Sequence, residues 1–106
     1  MLFRSMGKVI AELVVVPLGT GSPSVSSYVA NVERVLATFN LKQELTPMGT
    51  ILEGDLDEVL KAVKAAHEVP FHKGALRVST SLKIDERRDK DLSMEGKIAS
   101  VKQKLK

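Results

Sequence analysis

Cysteine and tryptophan are absent from the 106 residues. Without cysteine there are no disulfide staples and no thiolate metal centres, so an apolar core must hold the fold. The lack is compatible with a reducing compartment, and the expected location is cytoplasmic. Aromatic residues are scarce, one Tyr and three Phe. An RNA-binding sheet stacks bases on aromatics exposed on its central strands, and residues 8–18 and 75–85, the first and last strand segments, carry none. No apolar run approaches the roughly 20 residues that span a bilayer, so no membrane segment is expected. Only two histidines occur, His67 and His72. Their five-residue spacing does not stack them on one helical face, and no third ligand is near, so they read as helix-end histidines and not as metal ligands.

What is present is ordinary for a globular chain: 43% hydrophobic and 27% charged residues. A chain of this length forms one domain, 1–106, with a single core. The opening MLFRSMGK lacks an apolar stretch followed by a cleavage-type site, so it is not read as a secretory signal. Residues 1–7 are expected to be a flexible lead-in, with Met6 a candidate first residue. Net charge is +3, and much of the excess sits on Lys97, Lys102, Lys104 and Lys106. Spread along a terminal helix, these lysines make a solvated face and not the concentrated patch that nucleic acid requires.

Residues 8–18, KVIAELVVVPL, form the first strand. Val9, Ala11, Leu13 and Val15 share one face; Ile10, Val14 and Val16 share the other, interrupted by Glu12. A strand apolar on both faces needs cover on both. The loop GTGSPS follows, where Ser22 or Ser24 can cap a helix and Pro23 suits its first turn. It lacks the lysine ending of a P-loop. Residues 25–39 form a helix with Val25, Tyr28, Val29, Val32, Val35, Leu36 and Phe39 on one buried stripe.

Residues 41–48 form a second strand and 50–53 a short third one. Asp55 starts a second helix, with Glu58 at the capping-box spacing. Its stripe is Leu56, Val59, Leu60, Val63 and Ala66, and Pro70 and Gly74 mark its end. Residues 75–85 alternate as a fourth strand, with Leu76, Val78, Leu82 and Ile84 opposite Arg77, Ser79, Ser81, Lys83 and Asp85. The cluster ERRDKD follows in a turn. Ser93 caps a last helix with a narrow stripe of Met94, Ile98, Val101 and Leu105. The order β-α-β-β-α-β is that of an α+β, ferredoxin-like sandwich, a four-stranded antiparallel sheet with two helices on one face, plus a C-terminal helix. The apolar second face of the first strand predicts a homodimer built sheet against sheet.

The break LTPMGTILEG, residues 45–54, lies between the second and third strands. Pro47 lacks an N–H, and Gly49 can adopt a positive φ. Thr46 and Thr50 place hydroxyls on either side, with the thioether of Met48 between them. This is either a ligand cradle or a bulged turn whose threonines reflect strand preference. For catalysis the chain offers no nucleophile–base pair, metal cluster or proton-transfer pair, so no enzyme is expected. Glu12 alone stands on an apolar strand, where pairing with a lysine or arginine accounts for it.

Four segments, VPLGTGSPSVSSYVA at 16–30, ELTPMGTILEG at 44–54, DLDEVLKAVKAAHE at 55–68 and KIDERRDKDLSMEGKI at 83–98, closely resemble the thiamine-binding protein family. The resemblance covers nearly the whole chain after Met6. It implies the ferredoxin-like fold, homotetramers assembled from dimers, and non-catalytic binding of thiamine or its hydroxymethylpyrimidine part as carrier or sensor. It also implies that the ligand is held around the second and third strands, which points to Thr46, Met48, Gly49 and Thr50. Thr20 and Asp85 are added, since the first loop and the end of the fourth strand could close the same cradle. An aminopyrimidine needs a donor–acceptor pair in an apolar slot. The thiazolium cation would gain from a carboxylate such as Asp85, Glu44 or Glu53, with Met48 as the soft wall. The alternative is an oligomeric interaction protein with no dedicated ligand, in which the cradle is only a turn.

Overall fold

The computed structural model describes residues 7–90 and 92–106. The lead-in assigned to residues 1–6, the candidate start at Met6 and Asp91 of the charge cluster lie outside the described residues. Strands β1 (Lys8–Leu18), β2 (Lys42–Thr46), β3 (Gly49–Asp55) and β4 (Arg77–Glu86) alternate with helices α1 (Ser26–Leu36) and α2 (Leu56–His72), and α3 (Met94–Lys104) ends the chain. All three strand pairings are antiparallel, in the order β2-β3-β1-β4. The fold is the ferredoxin-like α+β sandwich.

The alternation in β1 decides which face meets the helices. Val9, Ala11 and Leu13 are buried with Leu52 of β3, Val32 and Leu36 of α1, and Val59, Ala62 and Ala66 of α2. The register sets Ala11 opposite Leu52 on one side and Ile84 on the other. Side chains of one parity therefore share the helical face across the sheet. Leu82 and Val15 pack against the same core.

Several local expectations are corrected. Helix α1 is shorter than 25–39, because Val25 is its N-cap and neither Ser22 nor Ser24 caps it through a side chain. Asp55 stands at the N-cap of α2 but makes no capping bond. Glu58 does not complete a capping box; its Oε2 accepts from the backbone N–H of Asn40 at 3.2 Å. Pro70 does not end α2. The helix runs on to His72 with Pro70 inside it and fully buried, at the cost of one hydrogen bond that proline cannot donate. Gly74, at φ 98°, then carries the chain out of the helix in the left-handed conformation that suits glycine. Strand β3 is longer than residues 50–53, since it pairs with both neighbours. Tyr28 is half-buried, whereas Phe39 packs on the core.

The second sheet face carries Ile10, Glu12, Val14 and Val16 of β1, Ile51 and Glu53 of β3, Lys42 and Glu44 of β2, and Lys83 and Asp85 of β4. Part of its cover comes from the chain itself. Helix α3 is capped by Ser93, whose Oγ accepts from the Gly96 N–H at 2.9 Å. It is tied to three strands: the Met94 N–H donates to Glu53 Oε1 at 2.6 Å, Lys97 pairs with Asp85 at 2.5 Å, and Glu95 pairs with Lys42. Met94 is buried, but Val101 is 58% and Leu105 79% exposed. Glu12 is exposed and stands across from Lys83, and among the described residues it forms no ion pair.

In the charged turn, Arg87 makes a two-point pair with Asp89 and Arg88 another with Glu86. The hydrogen bond from Arg87 holds the Asp89 carboxyl below the usual carboxylate range. Both pairs are local and solvated. His67 lies against β4, with Nδ1 at 2.7 Å from Thr80 Oγ1 and its ring edge-on to Phe71. Among the described residues, no group of three His, Asp or Glu could hold a metal ion, and no helix is long and apolar enough to cross a membrane.

Candidate functional site

The β2–β3 hairpin closes through two residues, Pro47 and Met48, with Thr46 opposite Gly49. Proline at the first turn position presets φ for such a turn. Thr46 Oγ1 then locks it. The hydroxyl donates to the Gly49 carbonyl at 2.7 Å and accepts from the N–H groups of Gly49 and Met48 at 3.1 and 3.3 Å. Gly49 does not take a positive φ. Its glycine character is needed for space: a Cβ there would lie 3.0 Å from both the Leu13 carbonyl oxygen and Val14 Cγ2. The turn is thereby pressed against β1.

Between this hairpin and α1 lies a cavity of about 190 Å³, floored by residues 13–16 of β1. Val25, Val29 and Val32 form its helical wall, and Leu45 to Thr50 form the opposite wall. A wider cleft of about 750 Å³, bordered by Ser24, Ser26 and Ala30, adjoins it. Small-molecule sites commonly occupy roughly 300–1,000 Å³, so the inner cavity suits a single ring and the cleft can take the remainder of a ligand.

The wall carries one charged side chain, Glu33 of α1. Thr50, 4% exposed, donates its hydroxyl to Glu33 Oε2 at 2.7 Å. Gln43 Nε2 donates to Glu33 Oε1 at 3.0 Å and to the Glu33 carbonyl at 3.1 Å. A helix carboxylate is therefore held by donors from two strands, beside an otherwise apolar slot. Such a slot can accept hydrogen bonds from a flat, donor-bearing ligand and balance a positive charge on it.

The pattern that defines the thiamine-binding protein family matches residues 11–102. The chain belongs to this family. Among curated relatives, YqgV of Bacillus subtilis is 45% identical over 100 residues, covering 91% of this chain and 96% of that one. A Methanothermobacter thermautotrophicus protein is 52% identical over 98 residues, covering 92% and 99%. The solved structure of MJ1052 from Methanocaldococcus jannaschii superposes with a TM-score of 0.83 at 49% identity, over 91% of this chain and 97% of that one.

In this family member, Thr46, Met48, Gly49 and Thr50 all line the cavity. Their tasks differ. The Thr46 hydroxyl is committed to the turn, and that of Thr50 to Glu33. Met48, 80% exposed, stands at the rim. Thr20 lies in the β1–α1 loop, where its hydroxyl donates to the Ser22 carbonyl at 3.1 Å, and is not part of the cavity wall. Asp85 is on the second sheet face, opposite Ile10 and paired with Lys97. Glu44 and Glu53 share that second face. None of these three carboxylates reaches the cavity.

Glu33 was absent from the candidates read from sequence. A signal existed: it falls at four-residue spacing after Val25 and Val29, as an acidic residue in an apolar file. Gln43, on the core-facing side of β2, is the matching polar exception. Each alone is an ordinary partly buried polar residue; only their juxtaposition marks a site.

Proposed function

We propose that this protein binds thiamine, or its hydroxymethylpyrimidine part, without chemical turnover, as a cytoplasmic carrier or sensor. The observation that carries the reading is the ring-sized apolar cavity with one oriented carboxylate in its wall. An aminopyrimidine is flat, largely apolar and donor-bearing, and thiamine adds a permanent cation. Thr46, Met48, Gly49 and Thr50 supply the hairpin wall. Family membership supports the ligand class.

Isothermal titration with thiamine, then with hydroxymethylpyrimidine, tests it. Saturable binding is expected, with a melting temperature that rises as the logarithm of ligand excess. Thr50→Val should weaken binding about tenfold by freeing the Glu33 carboxylate to rotate, in line with roughly 1.5 kcal/mol for a hydrogen bond to a charged group. Absence of heat and of thermal shift with both ligands would remove thiamine from the account.

The interaction-protein reading has its own support in the second sheet face. Ile10, Val14 and Ile51 are only half-buried there, and Val16 is 36% exposed. A second copy packed sheet against sheet, with two such dimers forming a tetramer, would cover them. Val14→Lys is expected to convert the assembly to monomers in light scattering. A wild-type protein that is monomeric at micromolar concentration would end this reading.

A further inference from the structure

We infer that Glu33 sets the chemical specificity of the cavity: it admits ligands that present N–H donors, preferably on a cationic ring, and rejects isosteres that present a carbonyl oxygen there. This rests on the reading of the cavity as a small-molecule site and names the residue that would choose among ligands.

The first support is orientation. Glu33 Oε1 and Oε2 each accept one protein donor, from Gln43 and Thr50. An ionised carboxylate has about four lone-pair sites, so roughly two remain open. The second is charge. No lysine, arginine or histidine lines the cavity or the adjoining cleft, and no salt bridge to Glu33 is formed among the described residues. The negative charge is balanced only by neutral donors, so a ligand cation or donor is its natural complement. The third is surroundings. The remaining wall is mostly valine and leucine, so a ligand that fills the slot displaces the water that could otherwise solvate the carboxylate. A carbonyl placed against it would then set acceptor against acceptor with no solvent to intervene.

Sites built around a hydrogen bond discriminate more sharply than apolar slots do, because the wrong ligand leaves a buried polar group unpaired. For one charge-assisted bond the expected preference is about 10- to 100-fold. The carboxylates offered from sequence for the cation, Asp85, Glu44 and Glu53, stand on the far face of the sheet, so this task falls to Glu33.

The test uses three pairs: thiamine and its 4-oxo analogue and hydroxymethylpyrimidine and its 4-oxo analogue, which exchange an exocyclic amine for a carbonyl at constant charge, and benzamidinium and benzamide, which exchange an amidinium nitrogen for a carbonyl and also remove the positive charge. Affinities are measured on the full chain and on Glu33→Gln and Glu33→Asp. The wild type should prefer the donor member by about tenfold or more, and Glu33→Gln should bring the ratio close to one with the melting temperature nearly kept. A purely structural role for Glu33 would weaken both members equally and leave the ratio unchanged, which overturns the inference. Should Glu33→Gln fail to fold, Glu33→Asp decides, with a ratio reduced at least about threefold as the carboxylate withdraws by one methylene. A Glu33-dependent preference in the benzamidinium pair alone would remove thiamine as ligand and leave the specificity role standing. Failure of the wild type to bind any donor member would overturn both.

Discussion

Leu52→Ala should lower the unfolding free energy by about 2–5 kcal/mol, the range for emptying a leucine site in a packed core. Leu52 is fully buried at 0% exposure, on an interior strand, and stands opposite Ala11 and Gln43. Ala11 is too small to move into the space, and Gln43 is held by Glu33. The cavity therefore stays open, which places the cost toward the upper part of the range. Urea unfolding checks it. The midpoint should fall while the slope, which follows the surface exposed on unfolding, stays the same. A loss under about 1 kcal/mol would show that the two layers can close the gap, against the rigidity assigned to this core.

Glu53→Ala should release α3 from the sheet. The Glu53 carboxylate is one of two buried polar residues in the structure as described, and its Oε1 accepts the first N–H of α3 at 2.6 Å. A carboxylate at a helix N-terminus also interacts favourably with the helix dipole. Its removal leaves that N–H unpaired and loosens the docking of Met94, at about 1–3 kcal/mol. The other ties are exposed ion pairs, Lys97 with Asp85 and Lys42 with Glu95, and such pairs contribute about 0–1 kcal/mol each. They cannot hold the helix alone. Hydrogen exchange read by mass spectrometry should show α3 amides losing protection while β1 and β3 keep theirs. Asp85→Asn should leave α3 protection nearly unchanged. Unaltered exchange in Glu53→Ala would assign the docking to Met94 by itself.

Much of the architecture was legible before any coordinates. The faces of β1 and β4 follow from period-two alternation, and α1 and α2 from three- and four-residue spacing. Two positions on those faces are exceptions, Leu60 of the α2 stripe at 46% exposure and Leu76, which precedes β4, at 94%; the other errors lie at the ends. Ser22, Ser24 and Asp55 are residue types that cap helices, yet none does so through a side chain, because the loop geometry around each was not encoded in residue type. Pro70 signals a helix stop, yet burial of its ring outweighed one missing hydrogen bond. Gly49 signalled a turn of positive φ, whereas what it supplies is close approach of β3 to β1.

The site was half legible. The hairpin residues stood out because proline, glycine and paired threonines are concentrated within a few positions. Asp85 was linked to them because both lie at strand ends, but antiparallel pairing places Ile10, and not Leu13, beside Asp85. By itself the sequence determined the elements, their apolar faces, the sheet topology and the family, since these depend on local periodicity and on segments read end to end. Only the tertiary structure decided which carboxylate serves the cavity and where α3 docks. Glu33 meets Thr50 across 17 positions and Glu53 meets Met94 across 41. Contacts at such separation arise from packing and register, to which no periodicity within one element gives access.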